Sequence, residues 1–412
     1  VPQRFAALRN KNSRPYLFFA GLSMMADNNE HVITYWVLWE RFHSPLLVGF
    51  ELISHWLPFL LFSVYFGSLA ERFDCRRLIQ IAQCLFMFVS LSWGVLFITG
   101  TLQVWEACVL LVLHGMAGAL WGPAEQLMLH DFVDRKDLVS AVRLNATFRN
   151  LGILFGPVVG SALLIGLGPA AGILVNVLFY LPMTILMMRT PFTGHTRDES
   201  DLPRRQRVTL ADSIRVLRDV RANQTLVSMI LLAGLTAVTV GASLQVSMPT
   251  FASDLGTGSS GLAYGVLLFA NGVGGVVGGF LLEATGILKP TIRSAVISTL
   301  LFAIAVLVFS LTHLYAVAVI ALLIAGVAAL ASMSVSQSIV QLEAPAGERG
   351  RIYGVYGMFG SGLRAGGGIT LGLLGASLGI PIAVAWCSVA LGLGTLVIGV
   401  YSRLGARRRA AS

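Results

Sequence analysis

The sequence predicts an all-α membrane protein, with twelve transmembrane helices arranged as two pseudo-symmetric six-helix bundles. Three observations carry that expectation. The 412 residues are 56% hydrophobic and 12% charged, with a mean hydropathy of +0.78, where an ordinary soluble domain carries about 25% charged residues. Apolar stretches of about 20 residues recur along the chain, each long enough to cross a hydrocarbon core as a helix. Of 29 Lys and Arg, all but Arg41, Arg149 and Arg364 fall at the N-terminus, in alternate gaps between stretches, or in the C-terminal tail. That alternation is the positive-inside pattern.

Taken in order, the first six spans are expected near 16–38, 46–69, 78–98, 104–127, 143–167 and 170–188. After a polar stretch come six more, near 225–248, 261–282, 292–312, 315–338, 353–377 and 381–401. The basic gaps hold Arg72, Arg76 and Arg77, then Arg135, Lys136 and Arg143, then eight arginines between 189 and 221. Lys289 with Arg293 and Arg349 with Arg351 follow. An odd number of spans in either half would scramble the alternation. The expected organisation is an N-terminal bundle over 1–190, a cytoplasmic linker over 191–224 and a C-terminal bundle over 225–412. Gly194 to Arg207 reads as a loose charged segment. Thr209 and Asp212 then form a capping pattern ahead of an amphipathic helix with Leu210, Ile214, Leu217 and Val220 on one face, suited to lie along the inner membrane surface.

Composition excludes several function classes. A net charge of +9 would suggest nucleic acid in a soluble protein, but here the basic residues sit beside helix ends, where anionic lipid accounts for them. Cys75, Cys84, Cys108 and Cys387 have no paired or metal-ligand spacing. The first apolar segment carries Asp27 and Glu30 and lacks a small-residue cleavage site, so it does not read as a cleavable signal peptide. No Ser–His–acid set, His-x-x-x-His motif or phosphate loop is evident, so an enzyme is not expected. The expected location is a bacterial inner membrane, multi-pass, with both termini in the cytoplasm.

The halves echo each other. Gly67-Ser-Leu-Ala-Glu71 ends the second span and Gly279-Phe-Leu-Leu-Glu283 ends the eighth, 212 residues later. Asp134-Arg135 and Glu348-Arg349 occupy the matching gaps after spans four and ten. Six-span duplication places a central site between two bundles that rock against each other.

Gly67-Ser-Leu-Ala-Glu-Arg-Phe-Asp-Cys-Arg-Arg77 resembles the loop signature of the major facilitator superfamily, Gly-x-x-x-Asp-Arg-x-Gly-Arg-Arg, in the gap where that family carries it. Glu71 replaces the usual Asp, Asp74 stands where Gly is usual, and Cys75 takes an Arg position; Arg72 and Arg76 are kept. The resemblance implies a cytoplasmic gate at Gly67, Glu71, Arg72 and Arg76, whose charge contacts break when the bundles separate. Gly152-Ile-Leu-Phe-Gly156-Pro157-Val-Val-Gly160-Ser161 in span five resembles the Gly-x-x-x-Gly-Pro-x-x-Gly-Gly signature of the superfamily's exporters. Small residues one turn apart bring helices close, and Pro157 bends the helix; generic helix packing is the alternative meaning. In span four Gly115 is matched, but the intramembrane Arg of the family signature is replaced by Leu111. Trp121-Gly-Pro-Ala-Glu125 through Asp137-Leu-Val-Ser-Ala141 is similar to the enterobactin-exporter and macrolide-efflux-like branch, with the lysophospholipid-transporter branch as its rival.

Ionisable residues inside the spans are the candidates for function. Asp27, Glu30 and His31 share one helical face, and Asp27 falls about 16 Å into span one, near mid-bilayer. A charge there costs about 3 kcal/mol even on the mild insertion scale, so it is expected to face water or a partner and to take and release protons. A polar cluster that only fixes helix packing is the alternative. Glu51 and His55, one turn apart in span two, are expected to line the same cavity or a solvated rim. Arg364 is the central cation of span eleven, expected to neutralise Asp27 or Glu30 or to contact an acidic substrate; Gly360, Gly362, Gly366, Gly367 and Gly368 leave space around it and make the span bendable. Arg149 is expected to snorkel, and His114 to be a packing residue of span four. Asp27 and His31 also suit a transition-metal exporter, but no His or Cys partner is evident in span seven, so no metal and no cofactor are expected. The expected function is proton-coupled antiport of an amphipathic organic molecule (a drug, siderophore or macrolide) by a monomer in contact with membrane lipid. A lysophospholipid flippase is the alternative.

Overall fold

The computed structural model describes residues 4–196, 210–241, 243–255, 260–345 and 347–411, and among these there are helices and no strands. In chain order the α-helices are α1 Ala6–Arg9, α2 Ser13–Phe42, α3 Pro45–Arg72, α4 Cys75–Thr99, α5 Val104–Phe132, α6 Leu138–Arg189, α7 Leu210–Ala222 and α8 Gln224–Thr236. They continue with α9 Ser243–Asp254, α10 Ser260–Thr285, α11 Ile292–Leu311, α12 Tyr315–Glu343, α13 Arg349–Gly357, α14 Arg364–Leu378 and α15 Ile380–Ala411. Nine helical segments among the described residues are long and apolar enough to cross a membrane. α2 is 30 residues long and is absent from those nine because Asp27, Asn28, Asn29, Glu30 and His31 interrupt its apolar run.

Local chemistry sets the ends. His43 stops α2 in the left-handed conformation and Pro45 opens α3 at its first turn, where a missing N–H costs nothing. Asp74 caps α4 by accepting from the Arg76 amide, and Gly100 closes it at φ 67°. α6 runs 52 residues but breaks at Gly168, φ 78°, just ahead of Pro169. Only glycine adopts that conformation readily, and the break falls between the expected fifth and sixth spans. Two further interruptions are π-helical turns, one at Ala237–Gly241, between α8 and α9, which was not expected, and one at Met358–Gly362, between α13 and α14, in the span that its glycines predict to be bendable.

The polypeptide divides into two compact units. The first comprises residues 1–213 with 345–357, the second 214–344 with 358–412. Residues 345–357, which the sequence places in the second half, thus make their contacts in the first unit. In the first unit α2 packs along α6, α3 along α5, and α4 between α5 and α6. Its apolar core includes Ile33, Val89, Trp93, Leu110, Leu111 and Ile173. In the second unit α12 packs between α10 and α11, and α15 packs along α11, over Leu244, Met248, Phe251, Phe309 and Leu322. Large apolar side chains remain exposed in rows, among them Phe88, Val95 and Ile98 on α4 and Ile297, Leu301, Ile304 and Val308 on α11. Such rows suit lipid, not water.

The linker helix is amphipathic where its side chains are described. Val216 and Val220 are buried while Arg215, Arg218 and Arg221 are exposed. Thr209, residues 197–207, and the side chains of Leu210, Asp212 and Ile214 lie outside the described residues. The start of the stretch expected to be loose is tied down: Asp131 accepts from the amides of Gly194 (2.7 Å) and Thr196 (3.0 Å), and the Cys75 amide donates to Thr193 O (2.8 Å).

Candidate functional site

Span one supplies the core of the site because its helix carries five polar residues in succession at mid-length. Asp27 and Glu30 are 7% and 2% exposed, and their partners on other helices come from α4 and α5. His114 on α5 bridges the two acids, with Nε2 2.8 Å from Asp27 Oδ1 and Nδ1 3.0 Å from Glu30 Oε1. Ser90 on α4 donates a short hydrogen bond to Glu30 Oε2. His31 is bracketed in the same manner: Nδ1 lies 3.2 Å from Glu51 Oε1, and Nε2 lies 3.1 Å from His55 Nδ1. Thr34 donates to Glu51 Oε1 (2.8 Å), while Glu51 Oε2 is buried without a hydrogen-bond partner among the described residues. Asp27, Glu30, His31, Glu51 and His55, read from sequence as candidates, therefore fall in two hydrogen-bonded sets, Asp27–His114–Glu30 and Glu51–His31–His55, which meet where the His31 and His114 rings pack edge-on at 4.9 Å. His114, expected as a packing residue, joins the two acids of span one.

The cluster is closed on most sides and open on one. Glu51, His114, Glu30 and Asp27 are buried, whereas His31 and His55 are partly exposed. Facing donor atoms of Asp27, His31, His55 and His114 all lie within 4.8 Å of one another. One and two turns further along α2, Tyr35, Trp36 and Trp39 line a groove of about 730 Å³ with Val32, Ser161, Leu164, Ile165 and Pro169. Leu111, the substitute for the family arginine, is buried in the apolar core beside the cluster.

Span five seats this helix. A Cβ at Gly152 would overlap the Gly21 carbonyl, one at Gly156 would overlap Asn28, and one at Gly160 would lie 3.0 Å from Asn29 Cα. The three glycines therefore let α6 lie against the face of α2 that adjoins the acids, and Pro157 sits inside the same helix. Asn176, after the Gly168 break, locks the opposite register by binding Asn29 (3.1 Å) and the Ala26 carbonyl (2.9 Å).

The loop signature acts at another place in the same unit. Glu71 accepts from the Arg351 amide (2.8 Å) and Nε (2.7 Å). The backbones of Gly67 and Gly350 meet so closely that a Cβ on either would overlap the other's carbonyl. The acid at a helix N-terminus is Asp74, not Glu71, and it holds Arg76 in a two-pronged pair while Arg76 Nη1 donates to Thr190 O (2.7 Å). Arg72 is half-buried at the end of α3. Arg149 does not snorkel. It pairs with Glu125, buried at 1% exposure, lies 4.8 Å over the Trp121 ring, and shares Glu125 with Asn145 (3.0 Å). Arg364 belongs to the second unit, beside Gly241 of the first π-helical turn.

Membrane-length helices that bury a connected set of acids and imidazoles, with one side accessible, define a membrane transporter. Residues 4–411 match the family described as transmembrane secretion effectors, and the chain belongs to that family of the major facilitator superfamily. It is a transporter and not an enzyme. It is similar to the staphyloferrin A transporter of Staphylococcus aureus (strain NCTC 8325 / PS 47), 21% identical over 273 residues, covering 66% of this chain and 67% of that one. Among solved structures it resembles the human organic anion transporter MFSD10 (TETRAN), with a TM-score of 0.74 at 14% identity, covering 93% of this chain and 99% of that chain. It also resembles the transporter FucP in its outward conformation, with a TM-score of 0.74 at 15% identity, covering 95% and 98%. At these identities the structural likenesses establish the fold.

Proposed function

We propose that this protein is a secondary exporter of amphipathic organic molecules, working by alternating access between two six-span halves and driven by proton entry. In this reading twelve spans cross a bacterial inner membrane with both termini in the cytoplasm. The observation that carries it is the cluster of Asp27, Glu30, His31, Glu51, His55 and His114. Each imidazole faces a carboxylate or another imidazole at 2.8–3.2 Å, so a proton arriving at the accessible His31–His55 side has partners to receive it. Cargo is proposed to contact the aromatic groove of Tyr35, Trp36 and Trp39, which lies one and two turns further along the same helix on the side facing α6 and offers apolar area with few polar points. The likeness to a staphyloferrin A transporter favours a siderophore over a lysophospholipid as the first cargo to test.

Proteoliposomes with an imposed pH gradient test this directly. Labelled staphyloferrin A or a fluorescent amphipathic dye is expected to leave the compartment that mimics the cytoplasm faster with the gradient than after an uncoupler collapses it. Gradient-independent movement of lysophosphatidylcholine would instead establish the flippase reading. Movement of neither cargo class would remove the export assignment.

A further inference from the structure

We propose that Asp27, His31, His55 and His114 form a binding site for one divalent first-row transition-metal ion. The inference goes beyond the export reading, because it concerns what the cluster binds in the protein alone. Three of the chain's seven histidines converge here from α2, α3 and α5, with the facing donor atoms of the four residues within 4.8 Å of one another. In a tetrahedral site with bonds of about 2.0–2.1 Å, neighbouring ligand atoms stand about 3.3 Å apart. Two of the pairs already stand at that spacing, His114 Nε2 to Asp27 Oδ1 at 2.8 Å and His31 Nε2 to His55 Nδ1 at 3.1 Å. Bringing the two pairs together needs side-chain movements of about 1–1.5 Å, within rotamer adjustment.

The surrounding acids make this a ligand set and not only a crowd of polar groups. Glu51 faces His31 Nδ1 and Glu30 faces His114 Nδ1. Each carboxylate thereby holds the N–H on Nδ1 and leaves the Nε2 lone pair for the centre, the carboxylate–histidine arrangement that orients metal-bound imidazoles. Thr34 and Ser90 fix the two glutamates in turn. Imidazole nitrogens with a single carboxylate suit zinc, cobalt, nickel or copper and not magnesium or calcium, which take oxygen ligands. An entering ion would replace the protons shared in the His114–Asp27 and His31–His55 contacts, and those protons leave to solvent. The partly exposed side chains of His31 and His55 supply the way in.

The test uses tag-free full-length protein in nanodiscs, titrated with Co²⁺ and then with Zn²⁺. One Co²⁺ per chain is expected, with the visible bands of a low-coordinate ion, displaced by Zn²⁺. His31→Ala and His55→Ala are each expected to weaken binding by about 100-fold. Glu51→Gln should weaken it by about ten-fold through loss of orientation, while Cys84→Ser, exposed on α4 and away from the cluster, leaves it unchanged. X-ray absorption of the zinc-loaded wild type needs no variant, and imidazole scattering with N/O neighbours at about 2.0–2.1 Å is expected. A spectrum without imidazole scattering, or Co²⁺ bands indifferent to His31→Ala and His55→Ala, would overturn the site. Neither result touches efflux of an organic cargo, so the two readings fail separately.

Discussion

Span one of the first unit and span seven of the second, which correspond in the proposed six-plus-six arrangement, are built on opposite principles. α2 runs unbroken through Asp27, Asn28, Asn29, Glu30 and His31, each of these side chains with at least one hydrogen-bond partner. Span seven carries no ionisable residue from Gln224 until Asp254, yet its helix leaves α geometry at Ala237–Gly241. Span eleven repeats the interruption at Met358–Gly362, and Arg364 follows directly. A π-helical turn misaligns the hydrogen-bond ladder and recurs at functional sites. The first unit has invested in charges held by rigid packing. The second has a pliant backbone with one cation in the span.

The strongest way to break that contrast is to neutralise the charged span. Asp27→Asn combined with Glu30→Gln keeps shape and hydrogen-bonding atoms but removes both acids. Gradient-driven transport in proteoliposomes is expected to fall by about 100-fold, the lower end of what positioned proton-transfer groups contribute. Arg364→Lys retains the cation, and a loss of about ten-fold or less is expected, seen as weaker cargo affinity and not as uncoupling. If the lysine variant were as inactive as the double variant, the division between a charged unit and a pliant one would not hold.

Packing offers a second and smaller lever. Gly156→Ala places a methyl group where Asn28 already lies, with the Met25 carbonyl 3.2 Å away. A cost of about 1–3 kcal/mol is expected for overpacking at a tight helix crossing. Gly241→Ala meets only the Thr236 carbonyl at 3.2 Å and the Arg364 side chain at 3.6 Å. Its change is expected within about 0.5 kcal/mol, since helix propensity offsets the mild crowding. Thermal unfolding of the two variants in one detergent separates these outcomes. Equal losses would mean that the π-helical turn is packed as tightly as span five.

Much of this was legible before any coordinates. Apolar periodicity and the arginine pattern place the helices, and the break at Gly168 falls where the fifth and sixth spans divide. Asp27, Glu30 and His31 announce themselves because a charge at mid-bilayer needs a reason. Their partner His114 did not. It stands alone in an apolar span 84 residues from Glu30, and the signal that would have found it is depth. Counted at 1.5 Å per residue, it lies about 15 Å into span four, level with Asp27 in span one. Arg149 was misread for a related reason: its partner Glu125 is on another helix, and sequence distance hides pairs that span packing makes. The π-helical turn at Ala237–Gly241 left no signal, because it carries ordinary membrane residues, whereas Gly360 and Gly362 mark the turn at Met358–Gly362 as a bendable stretch. Backbone departures of that kind are set by tertiary packing and not by local propensity.

The most local effect concerns the segment that joins the first unit from the second half of the chain. Glu71, 7% exposed at its side chain, receives both the amide and the guanidinium of Arg351. Glu71→Gln keeps an acceptor for the amide but removes the charge. The cost is expected to stay near 1–2 kcal/mol, because Arg351 is 19% exposed at its side chain and Glu348 stands 3.9 Å away to take up the cation. That cost belongs to local opening, so amide hydrogen exchange reads it better than melting does. Protection over Gly350–Tyr356 should fall by about ten-fold, with α10 to α12 of the second unit unchanged. A uniform loss over both units would mean that the Gly67–Gly350 backbone contact, not the ion pair, holds residues 349–357 in place.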